Sequence, residues 1–455
     1  MAIAVVYFSM DAGELNQTAR EHKCGSRHTG PKPGARPLWG ARWALVLILS
    51  SLAASVHAAE QDAAALFGRY KDRIFQIRVI DVEVEKKSAL GTGFLVAQDG
   101  LIATNFHVIS GLVNRPGKYR LEYRDEQGAQ GDLTVLDIDV VNDLALLRAE
   151  DLDRSPLELA DSTPNQGDTI YSLGNPHDIG FSVVPGIYNG IDERSYYRNI
   201  LFSGSLNAGM SGGPVLDKNG GVVGVNVSSA GNEISFLVPG EALRSLIDES
   251  QARAKPVANL RARVLEQLQA NQARLIDGIL TSEWTTQPLG EVTVVGELQP
   301  FVKCWGSSSN GDELYRFATS SCRSDRQIFL GPNFSTGVIA YQFFWLEAHE
   351  LGGARFLNYY RSYFDGFLPD NRAGDDDVGE FACKEMFIHD DAQHTDKVVL
   401  CVRAYREYAP LYDVLYLRGS VDESQNAFIS HFTLAGVGRD SIAAFLEKFQ
   451  QVVRR

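Results

Sequence analysis

The sequence predicts a mainly β chain: a β-rich amino-terminal domain, a helical connection and an α+β carboxy-terminal domain. Three observations carry this. From about residue 62 to 240, β-branched and aromatic runs of four to eight residues recur at short intervals. Gly, Asn, Asp and Pro clusters separate them, the punctuation of an all-β sandwich or barrel. Long helical periodicity is missing there and sets in just beyond. At 455 residues the chain exceeds the size at which a single core stops growing, so two domains are expected.

The strand runs, in order, are Ile74–Val82, Gly91–Ala97, Leu101–Asn105, Leu133–Asp139, Leu144–Ala149, Thr169–Leu173, Gly221–Val227 and Ile234–Val238. Glu241–Ala252 and Ala258–Leu280 then carry apolar residues at three- and four-residue steps, with Pro256 between them, and read as two amphipathic helices. Strand-like runs return at Glu291–Glu297, Gln327–Leu330, Val338–Trp345, Lys397–Arg406 and Asp413–Arg418. A last helix spans Asp440–Val453 with Asp440 as N-cap. The expected division is 1–58 extension and signal peptide, 59–245 β domain, 246–285 helical linker and 286–455 α+β domain. The aromatic cluster Phe343, Phe344, Trp345, Tyr359, Tyr360, Tyr363 and Phe364 reads as core.

A hydrophobic share of 44% and a charged share of 22% describe a globular protein. The net charge is −14 and no basic cluster stands out, which argues against nucleic acid as a partner. Near the amino terminus, Arg36 and Arg42 precede an apolar run from Trp43 to Val56, and Val56-His57-Ala58 offers small or short residues at a cleavage site. The pattern is that of a secretory signal peptide; the competing reading is a membrane anchor left uncut, against which the run is shorter than the roughly 20 residues that span a bilayer. Cleavage after Ala58 removes a net +3 and leaves −17, an exported periplasmic or secreted protein with no stable membrane insertion. Cys24 goes with that segment. Cys304/Cys322 and Cys383/Cys401 remain, each pair 18 residues apart and flanking a hairpin or short excursion. Two local disulfides are the expectation in an oxidising compartment, although four cysteines allow three pairings. A zinc site from Cys383, His389, His394 and Cys401 fits no common spacing, Asp375-Asp376-Asp377 reads as a solvated turn, and no cofactor or metal is expected.

Chemistry concentrates at three places. In Gly209-Met210-Ser211-Gly212-Gly213-Pro214 a serine is flanked by glycines, so its backbone can form a tight turn that presents the hydroxyl and aims amide N–H groups at one point. A hydroxyl needs an adjacent base to become a nucleophile. Thr104-Asn105-Phe106-His107-Val108-Ile109 follows Gly91-Thr92-Gly93-Phe94-Leu95-Val96, and this delivers His107 at a strand end. In Asn142-Asp143-Leu144-Ala145-Leu146-Leu147 an aspartate stands directly before a buried strand, costly unless its carboxylate has a partner such as an imidazole N–H. Asp137 and Asp139 compete for that role and read as edge or turn residues.

The order His, Asp, Ser with these four segments resembles the trypsin-like serine proteases, and within them the exported bacterial Deg/high-temperature-requirement family. The turn Leu173-Gly174-Asn175-Pro176 and the run Ile234-Ser235-Phe236-Leu237-Val238-Pro239 add to the likeness, which covers roughly residues 65–245. The resemblance implies two six-stranded β-barrels with a catalytic triad of Ser211, His107 and Asp143 in the cleft between them. It implies an oxyanion hole from the backbone N–H groups of Gly209 and Ser211, and pairing of Ser235, Phe236 and Leu237 with a peptide substrate. Protein or peptide substrates are the implied partners.

Departures from the family pattern matter too. Ser205 stands six residues before the serine, where trypsin itself has an aspartate, so cleavage after Lys or Arg loses its rationale. Ala208 and its apolar neighbours point to a small or medium aliphatic residue instead. Met210 precedes the serine where many relatives carry Asn, and reads as tolerated on a solvent-lined turn. No PDZ-type peptide-carboxylate loop is recognisable after residue 250. The competing reading is an inactive or chaperone-like binding module on the same fold. Oligomeric state and the role of residues 286–455 are not legible.

Overall fold

In the computed structural model, residues 63–454 are described apart from positions 230, 232–233, 254, 310–313, 349, 390–393 and 423–424. The signal-peptide and cleavage readings lie outside these residues.

A helix over 63–70 (α1) leads into the first barrel. Its strands are β1 (Ile74–Asp81), β2 (Lys86–Ala97), β3 (Leu101–Thr104), β4 (Tyr119–Arg124), β5 (Gln130–Asp139) and β6 (Leu144–Arg148), closed in the order β1-β2-β3-β6-β5-β4. A helix, α2 (Phe106–Asn114), interrupts it after β3. The second barrel holds β7 (Thr169–Gly174), β8 (Ser182–Ile191), β9 (Ile200–Phe202), β10 (Pro214–Leu216), β11 (Val222–Ser229) and β12 (Ser235–Pro239), closed as β10-β11-β12-β9-β8-β7. All pairings within both barrels are antiparallel, and closure leaves no bare sheet edge along most of their length. Apolar residues from both barrels, among them Phe94, Leu101, Leu144, Leu173 and Val225, meet in one core with Leu66 and Tyr70 of α1.

Helices α3 (Gly240–Ala252) and α4 (Leu260–Thr281) follow, separated by the Pro256 segment; the Asn259 side chain caps α4 by accepting from the Ala262 N–H at 3.0 Å. α4 is packed rather than a free connector. Val264 and Leu268 enter the first barrel's core, and Leu275, Ile276 and Ile279 enter the next one.

Beyond it come β13 (Thr286–Leu289), β14 (Val292–Val295), β15 (Val302–Ser308), β16 (Tyr315–Ser324), β17 (Ile328–Gly331), β18 (Phe334–Thr336) and β19 (Ile339–Ala348). After α5 (Gly353–Phe364) come β20 (Ala382–His389), β21 (Thr395–Ala404), β22 (Tyr412–Ser420), β23 (Asn426–Val437) and α6 (Arg439–Val452). Seven of these strands form one sheet, ordered β15-β16-β19-β23-β22-β21-β20. Alternation along β19 sends Phe343 toward α4 and α6 and Phe344 toward α5, so both faces are covered. Cys304–Cys322 and Cys383–Cys401 are disulfides between directly paired residues, and each ties an edge strand to its neighbour. The two thiolates of the zinc alternative are thus bonded to each other.

Three local expectations are corrected. Asp440 lies inside the first turn of α6, and Gly438 is the N-cap, because the helix begins one residue earlier. Asp137 is no edge residue: it is fully buried and ion-paired with Arg253 and Arg263 of the helical segment. Met210 is fully buried, seated against the bare backbone of Gly174, instead of facing solvent.

Candidate active site

His107 does not end a strand. It is the second residue of α2, whose backbone starts at Asn105 in extended conformation. Asp143 occupies the tight turn before β6 with φ +55°, a left-handed conformation that aspartate tolerates better than most residues. From there its carboxylate reaches α2 twice. Oδ1 accepts from the His107 backbone N–H at 2.8 Å, and Oδ2 lies 2.6 Å from the ring Nδ1. A carboxylate accepts only, so Nδ1 carries the proton and Nε2 is left as the basic nitrogen. The Asp143 carbonyl in turn accepts from the Asn105 side-chain amide at 2.8 Å and from the Phe106 N–H at 3.2 Å.

Burial disfavours the imidazolium, but the charge of Asp143 and its hydrogen bond outweigh that effect. The His107 pKa lies above its ordinary 6.5. The side chain keeps 27% of its surface open. Asp139, the neighbouring competitor, turns instead to its own turn, accepting from Val141, Asn142 and the Asn142 side chain. Burial raises its pKa.

The serine turn is pressed onto the histidine turn. At Gly212, with φ +83°, a Cβ would lie 2.3 Å from Thr104 Oγ1 and 2.9 Å from the Asn105 nitrogen, so only glycine fits. The Ser211 carbonyl accepts from the Thr92 N–H at 2.8 Å, and Thr92 Oγ1 donates to the Gly209 carbonyl at 2.6 Å. Asn226 adds a second clamp, its side-chain amide donating to the Met210 carbonyl at 3.2 Å. Among the described residues the Ser211 hydroxyl has no hydrogen-bond partner, His107 included. Such bonds are often long before substrate arrives. The N–H groups of Met210, Gly212 and Gly213 are all taken by carbonyls, whereas those of Gly209 and Ser211 donate to none among the described residues.

Ser205 and Ala208 are exposed on the stretch between β9 and β10. The Ala208 carbonyl accepts from the His177 N–H at 2.8 Å. Ser235 is buried and donates to the Gly204 carbonyl at 2.7 Å, next to Ser205. The expected pairing of Ser235, Phe236 and Leu237 with a substrate is corrected: β12 is already bonded on one edge to β11 and on the other to β9 over these residues. Among the described residues, Val227–Ser229 of β11 pair with no strand but β12, which leaves a backbone edge open just after Asn226, whose carbonyl holds Gly212. Sequence reasoning missed Thr92, Asn105 and Asn226. Thr92 carried a signal, standing between two glycines ahead of the histidine segment; a polar Asn226 inside an apolar strand was another.

Part of the chain is similar to known proteins. Residues 91–225 match the family described as trypsin-like peptidase domain. Serine protease HTRA1 of Xenopus tropicalis is 29% identical over 179 residues, 37% of this chain and 38% of that protein. Serine protease HTR4 of Rattus norvegicus is 33% identical over 193 residues, 40% of this chain and 38% of that protein. The chain thus spans well under half the length of the relatives it matches. A solved serine endoprotease from Yersinia pestis, 21% identical, aligns over 42% of this chain and 66% of its own with a TM-score of 0.37. Over residues 91–225 the two-barrel part of this chain is thus similar to a trypsin-like peptidase domain, and the relatives it matches are serine proteases.

Proposed function

We propose that the chain is a serine endopeptidase in which Ser211, His107 and Asp143 form the catalytic triad. The observation that carries the reading is the double hold of Asp143 on His107, with the serine turn packed against the same segment. In this reading His107 Nε2 takes the Ser211 proton as Oγ attacks the scissile carbonyl. The resulting oxyanion is met by the free N–H groups of Gly209 and Ser211. Collapse of the tetrahedral adduct passes the proton to the leaving amine and leaves an acyl-enzyme. Water, deprotonated by the same imidazole, releases the acid.

The substrate's acyl side adds as a strand to the open edge at Val227–Ser229. Ser205 offers no carboxylate to a cationic side chain, so a small or medium aliphatic residue precedes the cut. Unfolded proteins of the cell envelope suit an extended binding mode, and the two disulfides fit an exported protein.

The test compares the purified chain with Ser211→Ala on unfolded casein and with a fluorophosphonate probe. Digestion and labelling by the parent alone are expected. Equal digestion by both proteins would remove the serine from the mechanism. Absence of both signals in the parent favours a non-hydrolytic binding module.

A further inference from the structure

Between Asp325 and Gly331 the carboxy-terminal region crosses from one barrel to the other. Arg326 sits on the second barrel, its guanidinium 3.7 Å from the centre of the Phe236 ring on β12. Three residues later Phe329 of β17 meets His107 edge-to-face, ring centres 5.9 Å apart and planes at 75°. The Leu330 carbonyl accepts from the Asn114 side chain of α2 at 2.7 Å, and Tyr408 donates to the same Asn114 at 3.0 Å. Phe236 pairs across the sheet with Ser228, on the open edge of β11. The crossing therefore runs past the groove in which a substrate strand would lie.

Strand alternation decides what faces that groove. Ile328 and Leu330 are buried in the first barrel's core together with Phe334, while Phe329 between them points the other way and is half-buried. His107 and Phe329 share the lining of a 570 Å³ cavity with Gly111, Tyr119 and Asn333. Anchored by three core side chains and a pinned carbonyl, the hairpin of β17 and β18 is built as a fixed wall rather than a swinging cover.

We infer that this hairpin is a third wall of the substrate groove and that Phe329 is a specificity-determining residue, restricting the substrate side chain that lies against His107 to small residues. This rests on the peptidase reading above. The phenyl ring closes in on the imidazole from the carboxy-terminal side of a cavity whose other wall is first-barrel residues such as Gly111 and Tyr119.

The test maps cut sites by mass spectrometry on reduced, alkylated casein for the parent, Phe329→Ala and Phe329→Leu, with kcat/KM on paired peptides differing at the affected position. In the parent one position beside the cut is confined to Gly, Ala and Ser. In Phe329→Ala that position accepts Leu, Met and Phe, and preference for the larger residue rises about 10-fold or more, the scale of a few methylenes in a pocket. Phe329→Leu falls between. Identical site maps in all three overturn the inference and leave the peptidase reading standing. A uniform rate increase for every peptide and for the fluorophosphonate probe also overturns it, since that is how a cover behaves. No Ser211-dependent cleavage by the parent overturns both.

Discussion

Asp143 holds His107 at two atoms at once, Oδ1 on the backbone N–H at 2.8 Å and Oδ2 on the ring at 2.6 Å. The pair of bonds fixes both where α2 begins and which imidazole nitrogen is basic. Asp143→Asn keeps the shape but presents an N–H₂ to one of two donors. kcat is expected to fall about 10⁴-fold, the scale of losing the correct tautomer. Steady-state kinetics on a peptide, beside a melting curve that moves little, check this.

The pH profile follows from the same pair. In the proposed mechanism the base must be neutral to accept a proton, and the Asp143 charge lifts the His107 pKa above 6.5. Activity should therefore fall as pH drops through a midpoint above 6.5, and Asp143→Asn should shift that midpoint downward. The acidic limb of kcat/KM reads the free enzyme's value.

Gly209 has φ +95°, and a Cβ there would lie 2.4 Å from the Asn175 carbonyl. Gly209→Ala must displace that turn and the N–H it presents. Loss of one oxyanion donor is worth about 3 kcal/mol, so kcat should drop about 10²-fold with KM nearly unchanged. Retained binding of a peptide aldehyde at parental affinity would count against the assignment of this N–H.

The Asp137 carboxylate is fully buried between Arg253 and Arg263. Replacing both arginines with glutamine strands a charge in the core, with an expected loss of about 3–5 kcal/mol in urea unfolding. Asp137→Asn should cost less, because the arginines, 32% and 13% exposed, can recover solvent.

His431 lies buried in the large sheet, its Nε2 3.2 Å from Thr433 Oγ1, and burial pushes its pKa down to about 4. The unfolded chain takes up this proton near 6.5 while the folded one resists, so its contribution is intact above 6.5 and lost as pH falls toward 4. About 2 kcal/mol should go between pH 7 and pH 5. His431→Leu, whatever its stability at pH 7, should lose that part of the slope.

The β-rich character of the amino-terminal domain was legible because short β-branched runs and Gly-rich punctuation are local signals, the closure into two barrels came only with the family resemblance, and the three chemical segments stood out because each pairs an unusual residue with its reason. What escaped depends on distant partners. His107 sits in a helix because Asp143, 36 residues away, holds its N–H. β12 looked available to a substrate because nothing in Ser235–Leu237 announces that β9 takes its second edge. Asp137 reads as a turn residue until Arg253 and Arg263 arrive from the helices. Phe329 is one more aromatic residue in a short apolar run until the chain folds it onto the imidazole.

Val264, Leu268, Leu330, Phe334, Tyr405 and Tyr408 share a continuous apolar cluster with Phe75, Phe106 and Val113 of the first barrel. Halves joined by such a seam are not interchangeable cassettes. A recombination event that traded the carboxy-terminal half for another module would strip oily surface bare on the very barrel that carries His107, and truncation just past α3 should yield aggregates instead of a minimal hydrolase.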